Sequence, residues 1–339
     1  MKNITKILII AVMLILNFKL QTSNLFAQDF HVSQYDVLTM YYNPALTGVY
    51  KAEEKADYKI SLTHRSQWAS LGIKPFKTYS LGYDMKYNRF GLGALLINNN
   101  SGVGSFNTLN FLLSGSYSII KDENSPHTVT TGLQMGLINK SVNPNSYLYE
   151  SQLNSVTNTL DENLSNGEAF SNTSKLNFDA NIGIFYSYHE KGKWYRPFIG
   201  FSIYHITQPN ESITSEASSL PMRFNLNLGS ELIVNEKVTL TPNFLYLYQA
   251  KATEFNIGSL GTYRIKDKND IIYGIHYRWD DAIIINAGFR KDNITLRMSY
   301  DATTSSLSGY NSNRGAYELT LVIVGKKGVN PFQNVTRFN

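Results

Sequence analysis

Hydrophobic and polar positions alternate along most of this chain, most plainly from Ile271 to Tyr300. Ile271, Tyr273, Ile275, Tyr277 and Trp279 fall on one side of that pattern, and Gly274, His276 and Arg278 on the other. After Asp280-Asp281, Ile283, Ile285, Ala287 and Phe289 alternate with Ile284, Asn286, Gly288 and Arg290. After Lys291-Asp292, Ile294, Leu296, Met298 and Tyr300 alternate with Thr295, Arg297, Ser299 and Asp301. Side chains on a strand point to opposite faces in turn, so period two predicts a sheet with one apolar and one polar face.

The same pattern recurs from Ala56 onward. Its apolar series run through Tyr58–Leu62, Tyr79–Met85, Phe90–Leu96, Leu109–Tyr117, Val129–Leu137, Phe178–Tyr186, Ile199–Ile203, Met222–Leu228, Val238–Tyr246 and Phe255–Tyr263, and close with Tyr317–Ile323. With the opening stretch this predicts about fourteen strands, an even number, as single-chain outer-membrane barrels have. No segment of helical period is left to cover the apolar face, so that face must meet lipid. A secreted β-sandwich also alternates, but the connections favour a barrel. Long ones, such as 69–76, 141–175, 207–221 and 302–314, follow odd-numbered strands. Short ones, such as 87–88, 235–236 and 291–292, follow even-numbered strands. Outer-membrane barrels sort their loops this way, with the long ones extracellular. Trp68 and Trp279 fall on the lipid-facing parity at strand ends, suiting an aromatic girdle. The predicted fold is therefore an all-β transmembrane antiparallel barrel in the bacterial outer membrane.

The ends read differently. Lys2 and Lys6 precede the apolar run Ile7–Leu16, and Leu25-Phe26-Ala27 precedes Gln28. Residues 1–27 are read as a secretory signal, since the run is shorter than the ~20 residues of a spanning helix. Residues 28–55 have no clear period and carry the turn-forming pair Asn43-Pro44; they are read as a periplasmic or plug-like segment at the periplasmic mouth. The barrel occupies 56–325, and 326–339 form a tail.

Composition adds limits. The 339 residues include no Cys, which removes disulfides, thiol catalysis, Cys-based metal sites and lipoprotein acylation. Mean hydropathy is −0.23, which a barrel also shows because every second residue is polar. The formal charge of +5 becomes 5 − 3 = +2 without Lys2, Lys6 and Lys19, too little to suggest a nucleic-acid partner. No cofactor or metal site and no enzyme activity are expected, because the six His lack ligand or catalytic spacing. His276 is expected to be a hydrogen-bonded lumen residue, and His205 to lie near a strand end on the lipid side. Glycines at inward positions, among them Gly91, Gly93, Gly132, Gly183 and Gly200, are expected to relieve crowding or let the sheet bend.

Parity also points many charges inward: Asp57, Lys59, Arg65, Asp84, Asp179, Arg223, Glu231, Arg264, Arg278, Arg290, Arg297 and Glu318. A selectivity ring usually carries one sign. Mixed signs favour an internal ion-pair network that closes the lumen, with Arg65 paired to a lumen carboxylate or holding the 28–55 segment. The long 141–175 connection offers a surface for recognising a protein.

Several short motifs, in their order and spacing, carry a resemblance. They are Ser33-Gln34-Tyr35, Asn43-Pro44-Ala45 with Gly48, His64-Arg65-Ser66-Gln67-Trp68, Lys77-Thr78-Tyr79, Ser299-Tyr300-Asp301 and Asn313-Arg314-Gly315-Ala316-Tyr317-Glu318-Leu319. Over residues 28 to about 324 the chain resembles the PorP/SprF-type outer-membrane proteins of the type IX secretion and gliding machinery. It departs from that pattern in its tail, which runs past the last strand. The resemblance implies a barrel that supports export or surface attachment of a secreted partner such as an adhesin, with other type IX secretion components as further partners. Asn43, Pro44, Arg65, Gln67 and Trp68 are its motif residues. From the residues alone, a passive or ligand-specific channel remains the alternative.

Overall fold

The computed structural model describes residues 28–50, 56–71, 74–102, 106–120, 125–143, 152–154, 159–160, 173–213, 218–266 and 269–326. The signal expected at 1–27, nearly all of the tail and much of the 141–175 connection lie outside the described residues.

Fourteen antiparallel strands close into a barrel, each paired to its neighbours in sequence and the first to the last. They are β1 Tyr58–Gln67, β2 Phe76–Tyr87, β3 Phe90–Ser101, β4 Phe106–Ile120, β5 His127–Ser141, β6 Ser174–Tyr188 and β7 Tyr195–Tyr204, followed by β8 Arg223–Ile233, β9 Val238–Gln249, β10 Ala252–Lys266, β11 Asn269–Arg278, β12 Ala282–Lys291, β13 Ile294–Thr303 and β14 Arg314–Gly325. A short two-stranded hairpin, Leu153–Asn154 with Thr159–Leu160, stands apart in the β5–β6 connection. Closure pairs Tyr58 with Gly325 and Arg65 with Glu318. A closed sheet leaves no unpaired edge, which a membrane requires because lipid satisfies no backbone polar group.

The alternation read from sequence is the outward and inward order of the side chains. Leu113, Ile257 and Ile275 are more than half exposed on the outer face, as are similar aromatic and β-branched groups that suit a pleated surface. The longest connections leave the barrel after β1, β5, β7 and β13, all at one end, called here the long-loop end. The chain passes between strands at the other end after β2, β4, β6, β8, β10 and β12. One expected loop at the long-loop end, 249–253, is instead a two-residue turn, because Ala250 and Lys251 both take positive φ and continue β9 directly into β10.

The 28–50 segment is not confined to one mouth of the barrel. It runs inside it, from Asp29 beside His205 at the long-loop end to Gly48 beside Asp84 at the turn end. Its helical turn α1 (Thr39–Tyr42) and the 3-10 turn Pro44–Leu46 sit in the lumen. Val32, Leu38, Met40, Tyr41 and Tyr42 form a small core with wall residues Leu95, Ile97, Leu112 and Leu245. The barrel thus has an apolar exterior, a mostly polar inner wall and a separate apolar core between plug and wall.

The plug knot and the cavity above it

The plug brings its own backbone N–H and C=O groups into the barrel interior, where each buried one needs a partner. Wall side chains supply many of them. Gln134 Nε2 and Tyr204 Oη donate to the Met40 carbonyl at 3.0 and 2.7 Å. Ser202 Oγ and Asn225 Nδ2 donate to the Tyr42 carbonyl at 2.5 and 2.8 Å. Ser116 Oγ donates to the Thr47 carbonyl at 2.6 Å.

The Asn43-Pro44-Ala45 motif lies against the wall where the wall has no side chains. Asn43 accepts the Ala45 N–H at 2.9 Å and donates to the Ile184 carbonyl at 3.0 Å, and Pro44 starts the 3-10 turn. A Cβ on Gly183 would stand 2.0 Å from Asn43 Oδ1, and one on Gly132 would stand 2.3 Å from the Ala45 nitrogen. Gly91 and Gly93 are filled in the same way by Thr47 and Met40. These inward glycines seat the plug, a more specific role than relieving crowding within the sheet.

Toward the long-loop end, motifs far apart in sequence meet in one buried knot. Arg65 lies between Asp301 at 3.0 Å and Glu318 at 3.3 Å. Arg65 Nη1 also donates to Ser33 Oγ at 2.6 Å, and that hydroxyl donates to Asp301 at 2.6 Å. Glu318 accepts the N–H of Ser33 at 2.8 Å and of Gln34 at 3.0 Å. Arg278 donates to Asp301 at 2.8 Å and also pairs with Asp281. Arg297 grips Asp36 through both terminal nitrogens and donates to Gln34 Oε1 at 2.6 Å.

A second clamp fixes the start of the plug. Arg223 and His205 Nε2 each lie 2.7 Å from Asp29, and His205 Nδ1 lies 2.9 Å from Asp179. The Arg223 guanidinium is sandwiched between the rings of Tyr41 and Tyr204, 4.4 and 4.5 Å from their centroids. Burial alone would push His205 down, but the Asp29 and Asp179 carboxylates outweigh it and raise its pKa to about 9. Burial likewise opposes charge on Asp29, yet His205 and Arg223 hold its pKa well below the usual carboxylate range. At the turn end Lys59 pairs with Asp84 at 3.3 Å, and Asp84 accepts the Gly48 N–H at 3.0 Å. Arg290 pairs with Asp270 on the wall. Asp57 stands at the edge of this array, its backbone N–H donating to Gly325 at 2.7 Å.

Two expectations change. His205 is buried in the lumen, not on the lipid side, because it follows β7 with φ +59° and turns inward onto two carboxylates. Trp68 does not join a lipid girdle. Its φ of +60° breaks the alternation after β1, and its ring packs edge-on against inward-facing Phe76 at 4.9 Å. Trp279 is largely exposed. Sequence reading missed Asp29, Asp36 and Asp301 as partners; Asp29 and Asp36 sit in an aperiodic stretch, where no face can be assigned.

Arg65, Gln67 and Trp68 line a cavity of about 450 Å³ at the long-loop end. Gln28–His31 bound one side, and the inner wall of β2–β5 bounds the other. Glu211 and Ser212 of the β7–β8 connection reach its rim, where Glu211 pairs with Lys140 and the Ser212 carbonyl accepts from Lys175 at 3.1 Å.

A closed antiparallel barrel with an apolar outer face and a filled lumen is an outer-membrane β-barrel protein. The family model described as type IX secretion system membrane protein PorP/SprF matches residues 24–323. The chain therefore belongs to the PorP/SprF family and is a type IX secretion barrel of the bacterial outer membrane. Among solved structures it is similar to the Ralstonia pickettii toluene transporter TbuX (11% identity, TM-score 0.49, covering 85% of this chain and 92% of that one). It is also similar to the Pseudomonas putida toluene transporter TodX (11%, 0.47, 87% and 93%) and to the KdgM porin (7%, 0.38, 78% and 98%). No curated protein sequence matches the chain at a significant level.

Proposed function

We propose that this barrel holds a secreted surface protein, such as an adhesin, or supports its export, together with other type IX secretion components and without catalysis. The observation that carries this reading is the clamped plug. Ion pairs at Asp29 and Asp36, and hydrogen bonds from Ser33 and Gln34 to the Arg65 knot, hold the segment in the lumen at the long-loop end, and a hydrogen bond from Gly48 to Asp84 holds it at the turn end. Freeing it would leave the buried Arg223 and Arg297 without their carboxylates, at a cost of several kcal/mol for each. A lumen built to stay filled suits a holder better than a conduit. In this reading the long-loop end faces outward, as in other outer-membrane barrels, and family membership supplies the secretion context. The test is to purify the barrel from its native membrane and measure both partner retention and planar-bilayer conductance. A co-purifying secreted surface protein without large steady conductance is expected. Large steady conductance with no retained partner would establish a channel instead.

A further inference from the structure

The outer face of the barrel is not evenly filled. A groove of about 560 Å³ crosses it from β3 to β7 near the turn end, within the range of ligand sites, roughly 300–1,000 Å³. Its course follows the strand register. One row of paired outward residues runs from Phe90 through Tyr117, Thr131 and Ile184 to Phe201, and the next row holds Gly115 between Leu92 and Leu133. Five strands at a spacing of about 4.8 Å make the groove about 19 Å long, against the ~15 Å that is half the hydrocarbon core. Strand tilt sets it oblique to the membrane normal.

Gly115 makes the hollow. Its outward neighbours on β4, Phe111, Leu113 and Tyr117, are large and exposed. The inward glycines of the same wall, Gly91, Gly132 and Gly183, each have a plug atom within 2.3 Å of where a Cβ would stand, so the plug accounts for them. Gly115 faces the other way and has no positive φ, and a Cβ on it would meet nothing within 4 Å. Among the described strand glycines it alone stands in open space. A strand glycine weakens its strand, and one that no neighbouring group requires marks close approach by a ligand.

The surroundings fix the kind of occupant. The groove lies on the face that meets hydrocarbon, and a held water needs two to four polar partners. Ser116 and Ser202 beneath its floor turn inward and donate to plug carbonyls, and the Thr131 hydroxyl donates to the Gly183 carbonyl at 3.2 Å. That leaves a hydrocarbon chain. The β3 end of the groove adjoins the Asn88-Arg89 turn, where Arg89 is exposed and has no carboxylate partner among the described residues. A guanidinium at the membrane surface, one residue from Phe90, is complementary to a lipid phosphate.

We propose that the groove holds one acyl chain of a phospholipid of the turn-end leaflet, packed over Gly115, with the phosphate at Arg89. The proposal is independent of partner retention. It is tested by reconstituting the purified barrel in nanodiscs that contain phosphatidylglycerol with a photoreactive diazirine in one acyl chain, and mapping labelled residues by mass spectrometry.

Labelling at Thr131 and Leu133 should exceed several-fold that at Ile275 and Ile285, exposed residues on the opposite side of the barrel. Gly115→Leu fills the hollow from an open position, so heat-modifiable gel migration should stay normal while groove labelling falls to the level of the opposite side. Arg89→Gln should lower groove labelling about fivefold, the scale of one basic residue at an anionic surface, and leave labelling by a diacylglycerol with the same chain unchanged. Equal labelling of the two sides in the unaltered barrel would overturn the site, and that measurement depends on no variant. Groove labelling that Gly115→Leu lowers and Arg89→Gln does not would overturn the phospholipid assignment.

Discussion

The Glu318 carboxylate on the last strand accepts the backbone N–H of Ser33, 285 residues earlier, at 2.8 Å. The same carboxylate accepts Gln34 N–H and pairs with Arg65, which lies directly opposite across the seam that closes the barrel. The bond therefore joins two events, closure of the sheet and seating of the plug. Neither end of the chain can form the knot without the other.

Arg65→Ala should destabilise the folded barrel by roughly 3–5 kcal/mol, the cost of breaking a buried ion pair from one side. Asp301 would keep Arg278, but Glu318 would keep only two backbone donors. Arg65→Met combined with Glu318→Gln removes both charges and should recover part of that loss. Denaturant midpoints of the two proteins, read by heat-modifiable migration, provide the check. A double variant weaker than Arg65→Ala would contradict the pairing.

Gly183→Ala and Gly132→Ala should each displace the Asn43-Pro44-Ala45 turn, because their Cβ atoms meet Asn43 and Ala45 well inside contact distance. Overpacking of this kind costs about 1–3 kcal/mol. Gly115→Ala, with nothing within 4 Å of its Cβ, is the control and should change little. Planar-bilayer recordings should show raised or flickering conductance for the first two and a silent barrel for the third.

Leu113→Arg should cost about 2–4 kcal/mol if its strand position lies near the bilayer midplane. Thr108→Arg, on the inward face of the same strand and lining the cavity, should be far milder. Folding yield into detergent or lipid vesicles distinguishes them. Equal yields would overturn the assignment of faces.

The His205 clamp predicts a pH dependence. Its folded pKa of about 9 lies above the ordinary value of 6.5. The group then binds more protons folded than unfolded, so its contribution is complete below about pH 6.5 and is lost as pH rises through about 9. Asp29, shifted downward, stays charged throughout that window. The apparent unfolding temperature should fall between pH 7 and 10 in the native protein, and less steeply in His205→Asn.

What the sequence determined by itself is the barrel. Period two is a local property, set by residues that are neighbours in the chain, so Ile271–Trp279 or Phe90–Leu96 declare their lipid face wherever they are placed. Turn residues and loop lengths are local too, and they sorted the connections to two ends. The inward charges Lys59, Asp84, Asp179, Arg223, Arg278, Arg290, Arg297 and Glu318 were legible by parity for the same reason. One signal went unused: Leu95, Ile97, Leu112 and Leu245 are apolar at inward positions, which an open aqueous lumen does not favour and a plug core does. Only the tertiary structure decided the rest. The course of the plug along the lumen, its seat on Gly132 and Gly183, and the meeting of Ser33, Arg65, Asp301 and Glu318 join residues up to 285 apart. Such pairings are set by closure of the cylinder and by the burial of an aperiodic segment, neither of which leaves a local pattern. Trp68 and His205 were misplaced for one reason, each being the first residue past its strand, where a positive φ ends the alternation from which a face is read.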